Sequence, residues 1–260
     1  MKIRASFLLV MALAAVQLTS CQRATFDPAQ ADSFFPLRSG ASWTYRFVDR
    51  THGTTEILTD RVVASSHLDG PVPAIGKVVS EVSRPEGTNQ SAMVYVVEGG
   101  YITRVSTLGQ PRWTVFEERR FLPQLLRPGL RWSNSLRPFG QVQTTLNVEQ
   151  THRTFLERNE VVVPGGRFSG CIRIETDAVY KFSGAQPGTE EHLKYIDWYA
   201  PNIGLVKTRV VKSGRFGFGS EVASVELLSS VQSDGKAPVH VRAPVHVSAV
   251  RAPRENRPNS

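Results

Sequence analysis

Trp43, Tyr45 and Phe47 fall on alternate positions of the run SWTYRF. Side chains alternate sides along a strand, so an extended chain puts all three aromatics on one face. The same grammar recurs. Runs rich in Val, Ile, Thr, Tyr and Phe occupy Ser42–Val48, Glu56–Ser65, Lys77–Ser83, Ala92–Glu98 and Tyr101–Ser106. Asp69-Gly70-Pro71, Pro85-Glu86-Gly87 and Gly99-Gly100 punctuate them as turn signals. Further runs lie at Gln141–Thr151, Arg153–Val163, Cys171–Phe182, Glu191–Tyr199, Leu205–Lys212 and Val222–Ser229. Many short strands with regular turns predict an all-β architecture. Glu117–Leu126, ahead of Pro128, is the one stretch past the N-terminus read as a short helix.

The halves share a second-order pattern. Leu37-Arg38-Ser39-Gly40-Ala41-Ser42-Trp43 and Leu126-Arg127-Pro128-Gly129-Leu130-Arg131-Trp132 both read Leu-Arg-x-Gly-x-x-Trp. Val72–Lys77 corresponds loosely to Val163–Phe168, and Met93–Val105 echoes Leu193–Val210, in the same order. Two tandem, similar modules of curved antiparallel sheet are therefore expected, at 34–120 and 121–232. Coincidental reuse of turn residues stays open as the alternative.

The N-terminus has a different character. Lys2 and Arg4 precede the apolar run FLLVMALAAV, which ends in Leu18-Thr19-Ser20-Cys21. A basic start and a short apolar core make a secretory signal over residues 1–20. The run falls short of the roughly 20 apolar residues that span a bilayer. The LTSC stretch resembles the bacterial lipobox. That resemblance implies cleavage before Cys21 and a thioether-linked diacylglycerol on it, and two or three acyl chains anchor stably. Residues 21–33 then form a tether. Gln22 rather than Asp follows the cysteine, which in enteric bacteria implies the outer membrane, with the protein facing the periplasm.

The other cysteine, Cys171, then has no internal partner and is read as a small buried hydrophobe. The tail 233–260 holds four prolines and a tandem Ala-Pro-Val-His-Val, and is expected to be disordered. His240 and His246 on it make a weak metal site. The net charge of +8 is spread along the chain rather than clustered, which argues for a solvated basic surface, attracted to anionic lipid, over nucleic-acid binding.

No nucleophile elbow, His-Glu-x-x-His, Cys-x-x-Cys or phosphate loop is present. No metal or other cofactor is expected. Glu117-Glu118 and Glu190-Glu191 are adjacent, so as strand residues they are expected to face solvent rather than each other across a cleft.

Phe35–Tyr45 (FPLRSGASWTY), Val163–Ile174 (VPGGRFSGCIRI) and Asp197–Lys207 (DWYAPNIGLVK) together resemble a broad set of bacterial envelope proteins without assigned activity. That set carries FPL-x-x-G-x-x-W-x-Y, VPAG-x-F-x-x-C and WYAP-x-x-G-(L/V)-V-K segments. The likeness covers about residues 34–212, and some members look similar to half-barrel lipoprotein-carrier folds. It implies a non-enzymatic, membrane-anchored lipoprotein holding a lipid or other apolar ligand on curved sheets. A scaffold for an envelope protein partner is the second expectation, and a hydrolase of envelope polymers the third. Trp43, Tyr45, Trp113, Trp132, Trp198 and Tyr199 are the candidate ligand-lining residues. A solid aromatic core is their plainer role.

Overall fold

The computed structural model describes residues 26–27, 33–63, 74–84, 87–107, 114–137, 146–182, 190–213 and 219–232. The signal segment, Cys21, Trp113 and the tail 233–260 lie outside the described residues.

The alternating runs become strands. The first half supplies β1 (Ser42–Asp49), β2 (Thr54–Val63), β3 (Ala74–Arg84), β4 (Gly87–Glu98), β5 (Tyr101–Thr107) and β6 (Thr114–Pro123). The second supplies β7 (Arg131–Arg137), β8 (Leu146–Leu156), β11 (Ile172–Phe182), β12 (Glu191–Ala200), β13 (Gly204–Lys212) and β14 (Ser220–Val231), with a short hairpin, β9 (Val161–Val163) and β10 (Gly166–Phe168), between β8 and β11. The expected all-β class with curved antiparallel sheets is what forms. Each half contributes six neighbouring strands, and the two curved sheets join edge to edge into one closed antiparallel barrel.

Two seams make the closure. At one, β1 pairs with β14 over eight residues, with a bulge at Thr44/Tyr45. At the other, among the described residues, β6 meets β7 through Glu117↔Arg137 and Glu118↔Leu136. Beyond that point the strands part. Arg120 takes a φ of 59°, and the Trp132 indole Nε1 donates to its carbonyl at 2.9 Å across the gap.

The stretch from Glu117 is therefore strand, not helix. Helical reading of EERRFLPQLL weighs its Glu, Arg and Leu content, but partners on both sides supply backbone bonds that override propensity. The runs Gln141–Thr151 and Arg153–Val163 likewise resolve into β8 and β9, residues 141–145 lying outside the described residues, and β7 (RWSNSLR) is too polar to stand out as an alternating run.

The repeated Gly-x-x-Trp has one geometry in both halves. Gly40 and Gly129 have φ of 85° and 84°. The Gly40 N–H donates to the Val62 carbonyl, and the Val62 N–H donates to the Ala41 carbonyl. In the second half Gly129 N–H donates to Thr154, whose own N–H donates to Leu130. Trp43 and Trp132 follow as the first inward aromatics of β1 and β7, both buried.

One end of the barrel is plugged. Phe34 and Phe35 lie across it, with the Asn202 N–H donating to the Ser33 carbonyl at 2.9 Å. The β9–β10 hairpin covers the rest. Val161 and Val163 are buried beneath it, and Gly165 N–H donates to the Leu227 carbonyl at 2.8 Å. A Cβ on Gly165 would sit 2.8 Å from that oxygen, so the Gly-Gly turn is required by close backbone approach. Cys171 is fully buried below the hairpin, in line with its reading as a small hydrophobe, and burial followed by nearby Glu157 pushes its thiol up to about 12.

Gly129 is exposed and a Cβ there would meet nothing within 4 Å, so its cost on substitution is conformational alone. Gly129→Ala and Gly40→Ala should each lower stability by about 1–2 kcal/mol, by similar amounts. Urea unfolding with an unchanged m-value would check this.

Candidate functional site

Inside the wall is a cavity of about 410 Å³. Strand alternation decides what faces it. On β12, Tyr195, Asp197 and Tyr199 point inward and Trp198 outward. On β8 and β11, Gln150, His152, Ile174, Thr176 and Tyr180 point inward.

The plugged end of the cavity is aromatic. Phe35 meets Tyr95 and Phe121 edge to face, at 5.2 and 5.7 Å between ring centroids. Trp43 Nε1 donates to the Ile203 carbonyl at 2.6 Å, and Tyr45 OH to the Leu205 carbonyl at 3.2 Å. Gly204, at φ 97°, packs against Pro36 and Trp43. The FPL and WYAP segments, far apart in sequence, are thus two sides of one joint.

A polar belt crosses the middle. Arg104 pairs with Glu118, whose other oxygen accepts from Asn134 Nδ2 at 2.9 Å. The guanidinium also lies 4.2 Å from the Phe121 centroid. Burial would lower the Arg104 pKa, but Glu118 outweighs it and holds the guanidinium firmly charged. Glu118 is buried, not solvent-facing as its pairing with Glu117 suggested. On a strand only one of two adjacent residues can face out, and the inward one needed a cation.

Thr208 Oγ1 donates to Asp197 Oδ1 at 2.6 Å. Burial still pushes that carboxyl up to about 6 against the hydroxyl's opposing effect. His152 Nδ1 shares a hydrogen bond with Thr176 Oγ1 at 2.8 Å, and its ring stacks on Trp132 at 4.6 Å. Its Nε2 is buried with no hydrogen-bond partner among the described residues. Burial pushes the imidazole down to about 4, so it is neutral at neutral pH. Tyr180 and Tyr195 hydroxyls bond to each other.

Of the six aromatics read from sequence, Trp43, Tyr45 and Tyr199 line the cavity. Trp132 stands behind His152, in the core. Trp198 is on the outer wall, where its Nε1 donates to Glu157 Oε2 at 2.9 Å. Trp113 lies outside the described residues. The belt of Arg104, Glu118, His152 and Asp197 is not marked by any motif in the sequence. The signal existed for Asp197, which shares a strand face with Tyr199 at spacing two; for Glu118 it was hidden in the run EERR.

Asp197 and His152 bind protons in opposite senses relative to the unfolded chain. Asp197 holds its proton more tightly when folded, so its contribution is full below pH 3.8 and is lost as pH rises through about 6. His152 resists protonation when folded, so its contribution is full above pH 6.5 and is lost as pH falls toward 4. Each is worth at most about 3 kcal/mol. Asp197→Asn, which keeps the acceptor for Thr208, should therefore raise Tm at pH 8 and not at pH 4. His152→Gln should gain relative to wild type at pH 4 compared with pH 8. Calorimetry across that range reads both.

No protein-family model matches the chain. No curated protein matches it in sequence. Two solved structures resemble it. One is a lipoprotein candidate of Parabacteroides distasonis, at 12% identity and TM-score 0.50, over 77% of this chain and 99% of that one. The other is an exported-protein candidate of Bacteroides fragilis with a YmcC-like fold, at 18% identity and TM-score 0.46, over 77% of this chain and 100% of that one. The first likeness establishes a shared fold, and the second is too loose to argue from.

Proposed function

We propose that the chain is a lipid-anchored envelope lipoprotein whose barrel binds a small, largely apolar ligand without catalysis. The observation that carries this reading is the cavity. Its volume of about 410 Å³ falls in the range of about 300–1,000 Å³ common to small-molecule sites, which are apolar with a few placed polar groups. Aromatic rings at one end and a hydrogen-bonding belt at the middle suit a chain with a polar head. Asp60, Glu118 and Asp197 face the cavity beside one cation, Arg104. A neutral head is therefore favoured over an anionic one.

The belt supports binding rather than turnover. Glu118 is held by Arg104 and Asn134, and Asp197 by Thr208, so neither is poised across a cleft from the other as general acid–base work needs. The outer wall carries ion-pair rows, Lys207 and Arg46 on Glu226, and Arg173 and Lys194 on Glu175. A membrane-spanning barrel presents an apolar band there instead. The anchor is then Cys21 after cleavage of residues 1–20, and the cell envelope is the location, with the outer membrane facing the periplasm as its finer form.

Two measurements test these parts separately. Intact mass of the membrane-extracted protein should show residues 1–20 absent and diacylglycerol on Cys21, with Cys21→Ala unmodified; a cleaved, unacylated protein would remove the anchor. The neutral fluorophore N-phenyl-1-naphthylamine should brighten on binding and be displaced by 1-dodecanol more readily than by dodecanoate. Met93→Trp or Leu58→Trp, filling the cavity, should reduce that signal at least tenfold while the fold persists. Wild-type protein that fails to brighten the dye would sink ligand binding.

A further inference from the structure

Among the described residues, the plugged end of the barrel gathers exposed cations and exposed apolar side chains. At the plugged end, β7 begins where β8 finishes, and Arg131 and Arg153 are direct cross-strand neighbours on the outer face. Like charges directly opposite one another cost stability unless something lies between them. An outer groove of about 790 Å³ runs past them, bounded by Phe155, Arg158 and Arg173. Its acidic side chain, Glu157, is already engaged. It accepts from Trp198 Nε1, from the Arg158 backbone N–H at 3.0 Å and from Arg173 Nη1 at 3.3 Å. These hydrogen bonds overcome the effect of burial and hold its pKa below the usual value. Arg131, Arg153 and Arg158 are exposed and sit in no ion pair among the described residues.

The large apolar side chains left exposed among the described residues are Leu125, Phe155 and Val162. All three lie at this same end. Val162 faces outward from the β9–β10 hairpin, paired with Arg167, while Val161 and Val163 are buried beneath it. At the opposite end three cations of the described residues are matched instead. Lys181 pairs with Glu149 at 2.8 Å, Lys212 with Glu191 at 2.7 Å and Arg50 with Glu221 at 3.0 Å.

An even number of antiparallel strands also returns the chain to where it began. β1 starts and β14 ends at the plugged end. Ser33 lies at that end, and the residues between it and Cys21 span at most about 40 Å when fully extended.

We infer that the plugged end is a membrane-docking face for anionic phospholipid. The unpaired arginines meet lipid phosphates, and Leu125, Phe155 and Val162 enter the headgroup region. Arginine and exposed apolar side chains in one plane are the combination that interfacial binding uses. The docked barrel directs its other end away from the bilayer. The inference goes beyond ligand binding and is independent of acylation.

The test uses the chain with Cys21→Ser, so no acyl chain contributes, and vesicles of phosphatidylglycerol with phosphatidylethanolamine or of phosphatidylcholine alone. This Cys21→Ser parent, the reference for the variants below, should float with the anionic vesicles, less so as salt rises. R131Q/R153Q/R158Q should weaken that binding roughly tenfold or more. R131K/R153K/R158K should stay within about twofold of that parent, since phosphate attraction needs charge rather than the guanidinium plane. R50Q/K181Q/K212Q, which removes equal charge at the other end, should also stay within about twofold. A Val162→Trp probe should shift its emission to the blue on anionic vesicles only. Equal losses in the groove and opposite-end variants would overturn the inference. So would indifference to lipid charge, or displacement by millimolar inorganic phosphate, which would make the groove a free-anion site. If the triple Gln variant does not fold, R131Q/R153Q carries the same comparison with a loss of roughly fivefold or more.

Discussion

Closing twelve strands into a ring gives every strand a neighbour on both sides, but it fixes a perimeter wider than an ordinary core can span. Eight strands enclose just enough room for side chains, and sixteen or more leave a channel. Twelve lie between. The barrel meets the surplus volume in three ways. Phe34, Phe35 and the β9–β10 hairpin fill one end; Trp43, Trp132, Tyr45, Tyr95 and Tyr199 reach inward as the largest available side chains; and a residual cavity stays open, crossed by polar groups. The plug is a consequence of closure, and the cavity is what the plug does not reach.

The two halves share the work of closure unequally. Their first turns are nearly the same object, down to the Gly φ and the reciprocal bonds through Val62 and Thr154. Yet their Trp residues do different jobs. Trp43 ties β1 to the β12–β13 turn by bonding to Ile203, which locks the plug. Trp132 bonds to Arg120 and bridges the gap where β6 and β7 separate. A repeated local geometry thus serves one seam that is long and one that, among the described residues, is two residue pairs wide.

Much of this was legible in the sequence. Period-two alternation placed most strands, and Leu-Arg-x-Gly-x-x-Trp marked the two turns that start the halves. Alternation could not show partners. The run at Glu117–Leu126 reads as helix because its Glu, Arg and Leu are good helix formers, and only pairing with β5 and β7 makes it a strand. The same blindness hid the interior. Glu118, His152 and Asp197 look like ordinary polar strand residues until the ring closes and puts them on the concave side. Trp198 and Tyr199 show the limit from the other direction: adjacency assigns them to opposite faces, but not which face is inside.

The interior charges bear on how such a barrel tolerates its own cavity. A buried carboxylate or imidazole costs several kcal/mol if it must ionise alone. Glu118 avoids this by pairing with Arg104 and Asn134, Asp197 by accepting from Thr208 and holding its proton up to about pH 6, and His152 by staying neutral down to about pH 4. Their proton affinities shift in opposite directions, so acidification relieves one as it strains the other. The stability of the wall then changes little between about pH 4 and 6.5 on their account, although each group alone would impose a steep dependence. A polar belt built this way keeps hydrogen-bonding capacity facing the cavity without making the fold hostage to pH.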